Sequence, residues 1–395
     1  MNFEWSARDQ AFRDEIRSFL ERELPPDWEQ IARHGPGSRQ QTEFSRIFCA
    51  RLAEAGLLVP HWPKEHGGRG SSVWEHFILG EEMWAVGEPR GPQYMNVNWI
   101  GPTILRFGTD EQKARYIPEI AAGNAVWCQG FSEPSAGSDL ASLRSRADRD
   151  GDHFVINGSK VWTSYAGLAQ HCFLLARTGG SRKEGICIFL IPMQTPGITV
   201  RPIPALVGNG DLHEVFFQDA RVPVSSMLGE EGKAWSLITY ALANERIGLP
   251  RYQLSIRVLG EMVQHLKANG VWSDDIVRFR AGQALAACEA ARALVYRVVD
   301  QRSRGLPPNA ESSLARVAIV EADHAVANFA LDFLPEAFSN DVLPLLKPHH
   351  ERAIAAGIAS GATEIQLGIV ATDYMNLPRS QGACFSISAT IRMHC

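Results

Sequence analysis

The order of its secondary-structure patterns constrains this chain more than any single motif does. Up to about residue 124, apolar residues recur at helical spacing between Pro and Gly breaks. From about residue 125 to 229 they give way to short β-branched or aromatic runs, such as HFVINGSKVWT and GICIFLIP, separated by turn residues. Helical patterns then return. The sequence predicts an α+β protein with a helical domain at 1–124, an antiparallel β domain at 125–229 and a helical domain at 230–395.

Size and charge exclude several classes of protein. A chain of 395 residues is too long for one simple core, and a net charge of −5 gives no general attraction to nucleic acid or membrane surfaces. The first 20 residues carry acids throughout, with Phe12, Ile16, Phe19 and Leu20 at helical spacing. They are expected to form a first helix rather than a signal peptide. No stretch reaches the roughly 18 consecutive apolar residues that a membrane span needs.

Metal and hydrolase motifs are missing from the sequence. The seven cysteines are scattered, odd in number and without a CxxC pair, which argues against a disulfide framework or a zinc site. Free cysteines favour a reducing compartment, the cytoplasm. The histidines lack metal-ligand spacing except His349–His350, which are expected to precede a helix and to be solvated. There is no HExxH, no P-loop, no GxSxG and no GxGxxG between a strand and a helix. We therefore predict no metal site.

Two segments of the β domain carry candidate binding residues. In CQGFSEPSAGSDL, residues 128–140, a strand runs into small and hydroxylic residues whose backbone can approach a flat or phosphorylated ligand. The alternative is an ordinary strand-to-turn loop. In NGSKVWTSYAG, residues 157–167, Asn157–Gly158 predicts a hairpin turn. Trp162 and the two hydroxyl residues after it would flank a planar heterocycle. The alternative is an ordinary strand with Trp162 in the sheet core.

A third segment, ALANERIGLP, places charge on an apolar helix face. Reading back from Glu245 at helical spacing gives Leu242, Ala241 and Ile238. Charged side chains are rarely found on such a face without a partner or a catalytic task. From the residues alone, Glu245 is either a member of a buried ion pair or a base in a dry pocket.

Together these segments resemble the acyl-CoA dehydrogenase family. The family pattern [ST]EPxAGSD is matched by SEPSAGSD at 132–139, and NGxKxW[IT][ST] by NGSKVWTS at 157–164. The segments WPKEHGG, GPTILRFGTDEQKARYIPEIAAGN and HEVFFQDARVPVSSMLGEEGKAW also fit, and GATEIQLGIVATDYMNLPR is similar to the family's C-terminal ending. The resemblance therefore covers nearly the whole chain.

The resemblance implies the family fold and its cofactor. The fold would be a helical N-terminal domain, a middle β domain and a C-terminal four-helix bundle, with FAD in a cleft between them. Ser138 would also touch the acyl-CoA substrate. The residues implied around FAD are Gln129, Phe131, Ser132, Gly137, Ser138, Trp162, Thr163, Ser164, Thr363 and Glu364.

The resemblance also implies where the catalytic base lies. Most family members place it just before the GTS[EQ]IQ motif, where this chain has Ser360, followed by Gly361 in the substrate site. Glu364 matches a different family position, near the cofactor. A smaller set, including isovaleryl-CoA and long-chain enzymes, carries the base on an earlier helix before an arginine. NER at 244–246 matches that set, with Glu245 as base and Arg246 near the CoA.

The implied reaction is dehydrogenation of an acyl-CoA to a trans-2-enoyl-CoA, with an electron-transfer flavoprotein as acceptor. A small residue at 360 leaves room for a branched, bulky or steroid-like acyl group. The family's RxxFG and Gln-GG elements, which reach FAD across a subunit interface, are absent from the regions near 264–282 and 328–341. Three alternatives therefore stay open: a homo-oligomeric dehydrogenase (dimer or tetramer), a non-catalytic subunit of a heterotetramer, and a flavin oxidase or monooxygenase.

Overall fold

The computed structural model describes residues 5–208, 210–247, 250–306, 309–338, 342–359 and 361–378, with backbone only at 245–247. It confirms the predicted order of helical domain, β domain and helical domain. None of the described helices is both long enough and apolar enough to cross a membrane.

The N-terminal domain is a group of helices, several of which bury one apolar face, whereas the helix Val73–Ala85 is buried on almost every side. In α1, the four residues predicted at helical spacing, Phe12, Ile16, Phe19 and Leu20, are all buried. Ser72 and Thr109 begin α4 and α6 with capping boxes, which satisfy backbone N–H groups that a helix start leaves unpaired. The helices are α1 Ala7–Glu23, α2 Trp28–Ala32, α3 Arg39–Glu54, α4 Val73–Ala85, α5 Gly101–Phe107 and α6 Asp110–Ala121, with a π-helical turn at Asn96–Ile100 directly before α5.

The middle domain is one eight-stranded sheet. Its strand order is β6-β7-β3-β2-β4-β5-β8, and β1 pairs with β4 in parallel. The long central pairings, β3 with β7 and β4 with β5, are antiparallel. The strands are β1 Trp127–Gly130, β2 Arg146–Asp150, β3 His153–Ser164, β4 His171–Arg177, β5 Ile186–Pro192, β6 Ile198–Pro202, β7 Leu212–Pro223 and β8 Met227–Leu228.

The predicted hairpin turn at Asn157–Gly158 is wrong, because both residues lie inside β3. The Asn157 amide pairs with Asp219 on β7, donating to Oδ1 at 3.0 Å and accepting from the Asp219 backbone N at 2.9 Å. The register shifts between residues 156 and 158, and Gly158 has φ +146°. The Asn-Gly pair therefore marks a bulge in a continuing strand rather than its end.

The C-terminal domain is a helical bundle packed on α4 of the N-terminal domain. Its core consists of small and branched side chains on the facing sides of α8, α9 and α10. The helices are α7 Trp235–Ile247, α8 Tyr252–Ala268, α9 Asp275–Ser303, α10 Ala310–Phe333, α11 Leu346–Ala356 and α12 Thr363–Ile369.

The prediction that His349–His350 precede a helix and are solvated is also wrong. Both lie within α11, and His349 is buried. Its Nε2 is 2.9 Å from Ser255 Oγ, which in turn donates to Asp323 at 2.8 Å. Arg251 contacts the other oxygen of Asp323 at 3.0 Å. Burial lowers the pKa of His349 to about 4, so the imidazole is neutral and ties α11 to α8 and α10.

Candidate functional site

The loop after β1 presents its small residues outward. Phe131 anchors the loop by packing on Phe173 in the core. Glu133 and Ala136 then exchange two backbone hydrogen bonds of 3.0 Å, which close a tight turn. Gly137 and Ser138, which follow, are exposed. The turn therefore leaves the residues predicted to meet a ligand with free backbone and hydroxyl groups at the surface.

A buried ion pair joins this loop to β3. Lys160 Nζ lies 2.7 Å from Glu133 Oε1 and also donates to the Phe131 carbonyl at 3.2 Å. The Glu133 carboxylate accepts from the backbone N of Arg144 at 2.6 Å and of Ser145 at 2.9 Å. The pair thus connects the SEPSAGSD and NGSKVWTS motifs from inside the protein.

Both members of the pair have shifted pKa values. Burial raises the pKa of the Glu133 carboxyl, but Lys160 and the two N–H donors outweigh it, so the net shift is downward. Burial lowers the pKa of the Lys160 ammonium, against the opposing effect of Glu133. Sequence reasoning missed this pair. The available signal was one acid and one base, each inside one of the two family motifs.

Trp162 does not lie in the sheet core. The pairing of β3 with β7 shifts register between Lys160 and Thr163, and Trp162 within that shift has φ +58°. Its side chain is 58% exposed, whereas the next residue, Thr163, is buried. Thr163 Oγ1 has no hydrogen-bond partner among the described residues. The strand thus exposes a flat aromatic surface at Trp162, while the next residue has a buried hydroxyl and half-buried Ser164 pairs with Leu212.

Hydrogen bonds bring the two motifs and the N-terminal domain together. The Val161 N–H donates to the Ser132 carbonyl at 2.9 Å, which places the loop alongside β3. Gln129, at the end of β1, accepts a 2.8 Å hydrogen bond from the Trp99 indole of the π-helical turn. Gln129, Ser132 and Trp162 therefore belong to one connected region of the structure.

The predicted base helix is α7. Ile238 and Ala241, on the face leading to residue 245, are buried, and Leu242 packs against the same core. The backbones of Glu245 and Arg246 belong to α7, but their side chains lie outside the described part of the chain. Ser360 also lies outside the described residues.

The remaining predicted residues surround the start of α12. Gly361 has φ +92°, a conformation that favours glycine. Thr363 donates to the Gly357 carbonyl at 3.3 Å, and Glu364 is exposed in the first turn. Within the described residues, neither Thr363 nor Glu364 is hydrogen-bonded to the β domain. Their placement next to the β-domain motifs therefore stays a prediction.

Comparison with known proteins decides the family. The models for the N-terminal, middle and C-terminal domains of acyl-CoA dehydrogenase match residues 6–124, 128–220 and 232–375. The chain belongs to the acyl-CoA dehydrogenase family. It is accordingly an oxidoreductase that acts on CH–CH bonds, from a family of flavoproteins.

Relatives of this acyl-CoA dehydrogenase include a protein named as a steroid ACAD. The chain is 32% identical to acyl-CoA dehydrogenase IpdE1 of Mycobacterium tuberculosis, covering 94% of this chain and 98% of that protein. Among solved structures, it matches a Tcur3481-Tcur3483 steroid ACAD with a TM-score of 0.88 at 30% identity, covering 96% of this chain and 100% of the other. It also matches the ChsE4-ChsE5 complex from Mycobacterium tuberculosis, with a TM-score of 0.86 at 28% identity, covering 96% and 100% of the two chains.

Proposed function

We propose that this chain catalyses FAD-dependent α,β-dehydrogenation of an acyl-CoA thioester to a trans-2-enoyl-CoA. The observation that carries the proposal is the exposed indole of Trp162 on β3, followed in the chain by Thr163, whose hydroxyl has no partner among the described residues. An exposed aromatic plane suits the face of an isoalloxazine ring, and a hydroxyl without a partner suits hydrogen bonding to its edge. The residues present therefore fit the cofactor that the family uses.

The cofactor would be held by the loop and strand already described. The exposed Gly137–Ser138 backbone suits close approach, and the buried Glu133–Lys160 pair fixes the loop against β3. When bound, FAD supplies the acceptor for the hydride that leaves the β-carbon of the substrate. The proposed FAD residues are Gln129, Phe131, Ser132, Gly137, Ser138, Trp162, Thr163, Ser164, Thr363 and Glu364.

Glu245 is the proposed base, and its carboxylate takes the α-proton of the thioester. Its helix, α7, packs its apolar face into the core at Ile238 and Ala241. A dry environment raises a carboxyl pKa toward working pH, which makes a better base. Arg246 is proposed to bind the CoA portion, with Ser138, Ser360 and Gly361 around the thioester.

The proposed substrate class is a branched, bulky or steroid-like acyl group. Two features support it: the small residue at position 360 and the similarity to a protein titled as a steroid ACAD. The proposed electron acceptor is an electron-transfer flavoprotein. We further place the enzyme in the cytoplasm, because the five cysteines that the structure describes are buried free thiols.

A second function, that of a partner subunit completing another chain's FAD site, is favoured by a specific observation. The family elements that cross a subunit interface are absent near 264–282 and 328–341. Two of the similar structures carry titles that name pairs of chains. The proposed assembly is therefore either a homo-oligomer (dimer or tetramer) or a heterotetramer with a related chain.

The test uses the full chain, purified alone and with a co-expressed related chain. A flavin spectrum, followed by anaerobic bleaching with straight, branched and steroidal acyl-CoAs, is expected to show substrate reduction of bound FAD. Glu245→Gln is expected to slow bleaching by about 10²- to 10⁴-fold, the usual contribution of a general base.

Glu364→Gln is the comparison, because it removes the other carboxylate near the proposed site. Bleaching at the wild-type rate by Glu245→Gln would refute the base assignment. Loss of bleaching in Glu364→Gln alone would instead identify Glu364 as the base. A lone chain that binds no flavin, but that restores flavin in its partner, would establish the subunit function. Rapid reoxidation by oxygen without an electron-transfer flavoprotein would indicate an oxidase or monooxygenase.

A further inference from the structure

A group of polar side chains lies between the N-terminal domain and the end of α7. We name it the polar cluster, and it draws on the loop before α4, on α4 itself, on the π-helical turn, on α7 and on α9. Several of its nitrogen atoms are buried without a hydrogen-bond partner among the described residues. Buried polar groups in proteins are almost always hydrogen-bonded, so such a concentration calls for an explanation. The members are His61, His76, Asn98, Asn244 and Arg302.

Two stacked imidazoles form one side of the polar cluster. The rings of His61 and His76 lie parallel, with centroids 3.5 Å apart. His76 Nε2 contacts Asn98 Oδ1 at 2.9 Å, while both ring nitrogens of His61 and the Asn98 amide nitrogen lack partners in the described chain. Burial lowers the pKa of both imidazoles, that of His76 to about 4, so each is a neutral donor and acceptor at pH 7.

Arg302 supplies the positive charge of the polar cluster. Its guanidinium donates to the Ala243 carbonyl at 3.0 Å and to Asn244 Oδ1 at 3.3 Å, near the end of α7. Its Nε has no partner, and no carboxylate that the structure describes forms an ion pair with it. Burial lowers its pKa to about 10, so it is still a cation at pH 7. A buried cation without an anion is costly unless a ligand supplies one.

The polar cluster adjoins both halves of the proposed catalytic site along the chain. Asn244 directly precedes Glu245, the proposed base. Asn98 directly precedes Trp99, whose indole bonds to Gln129 of the proposed flavin region. The polar cluster is therefore next along the chain to both the proposed base and the proposed flavin region, and a substrate held by those two groups could extend its acyl group toward it.

We propose that the polar cluster recognises a carboxylate at the far end of the acyl group, held by Arg302 and flanked by Asn244, Asn98 and His61. This inference rests on the proposed dehydrogenase function and specifies its substrate class. A carboxylate provides the counter-charge that no side chain in the described part of the chain supplies, together with acceptors for the N–H groups left unpartnered there. An alkyl end in the same place would leave these groups unsatisfied, and such burial is penalised.

The test compares two CoA thioesters of equal chain length, one ending in a carboxylate and one in a methyl group. Anaerobic flavin bleaching and direct thioester binding are measured on the flavin-loaded protein or its complex. The wild type is expected to prefer the carboxylate by about 10- to 100-fold, the usual effect of a hydrogen bond to a charged group. Arg302→Met is expected to abolish this preference, and Arg302→Lys to keep part of it.

Arg304→Met is the matched control, because Arg304 is exposed two residues further along and pairs with Asp300. It is expected to keep the wild-type preference. A wild type that prefers the methyl-ended thioester, or an Arg302→Met variant with an unchanged preference, would refute the inference while leaving dehydrogenation intact. If neither thioester, nor any acyl-CoA of the wider panel, bleaches the flavin, the proposed function itself fails.

Discussion

Breaking the buried Glu133–Lys160 pair should weaken both the fold and flavin retention. Lys160→Met removes the ammonium, which has no exposed surface, and leaves the Glu133 carboxylate buried. Removing one partner of a buried ion pair generally costs about 3–5 kcal/mol. Glu133 keeps its two backbone N–H donors, so we expect the lower end, about 3 kcal/mol.

Lys233→Met provides the control for this prediction. Lys233 also pairs with a glutamate, Glu230, but the two side chains are 73% and 75% exposed. Exposed pairs contribute only about 0–1 kcal/mol, so this variant should unfold almost like the wild type. The assay is urea unfolding followed by tryptophan fluorescence, together with the affinity for FAD. Equal losses of stability in Lys160→Met and Lys233→Met would refute the argument.

The pH dependence gives a second readout on the same pair. The folded-state pKa of Glu133 is depressed, so its stabilisation is present above the unfolded pKa and is lost as pH falls through the folded value. In Lys160→Met burial acts without the opposing ammonium, so the pKa of Glu133 should rise. The variant should then be destabilised most at neutral pH and least in mild acid. In the double variant with Glu133→Gln, much of the loss should be recovered, because no unpaired charge stays buried.

Three further predictions concern other parts of the fold. His349→Gln should reduce the loss of stability that the wild type shows between pH 6.5 and 4. In that range the unfolded state binds a proton at His349, whereas the folded state, with its pKa of about 4, does not. The effect amounts to about 3 kcal/mol and is measured by urea unfolding at several pH values. Tyr252→Phe should cost about 1.5–3 kcal/mol, because its hydroxyl donates to buried Glu81 at 2.6 Å, whereas Tyr374→Phe at an exposed tyrosine should cost almost nothing. Gly158→Ala should cost about 1–3 kcal/mol in the same titration, because a Cβ there would lie 2.4 Å from Ser145 Oγ and φ is +146°. An unchanged midpoint in Tyr252→Phe or Gly158→Ala, or an unchanged pH dependence in His349→Gln, would contradict the reasoning.

The sequence was sufficient for the fold because its dominant signals are local. Helical and strand periodicities, together with caps such as Ser72 and Thr109, act within a few residues, and the structure confirms the α, β, α order. The hairpin at Asn157–Gly158 failed because a turn-forming dipeptide also suits a bulge. Only the cross-strand partner, Asp219, 62 residues away, decides between the two.

The site was less predictable because its decisive contacts are long-range. The solvated placement of His349–His350 failed, since nothing near residue 349 indicates that Ser255 and Asp323 lie against it. The Glu133–Lys160 pair joins residues 27 apart, and neither motif alone shows it. The roles of Glu245, Arg246 and Ser360 stay predictions, as do those of the proposed flavin residues.

The π-helical turn at Asn96–Ile100 has a consequence for how the specificity of such an enzyme changes. Within it, Asn96 bonds to the Ala125 carbonyl and the Trp127 N–H, Asn98 contacts His76, and Trp99 reaches Gln129. A π turn carries one residue more than the regular helix, and such turns are frequent at functional sites. Deleting one residue would restore a regular helix, but it would rotate the residues after the deletion by about 100° relative to those before it. Asn96, Asn98 and Trp99 could then no longer all face their present partners. Chain length at this position, more than residue identity, therefore controls whether one short segment can contact the neighbouring domain, the polar cluster and the proposed flavin region at once.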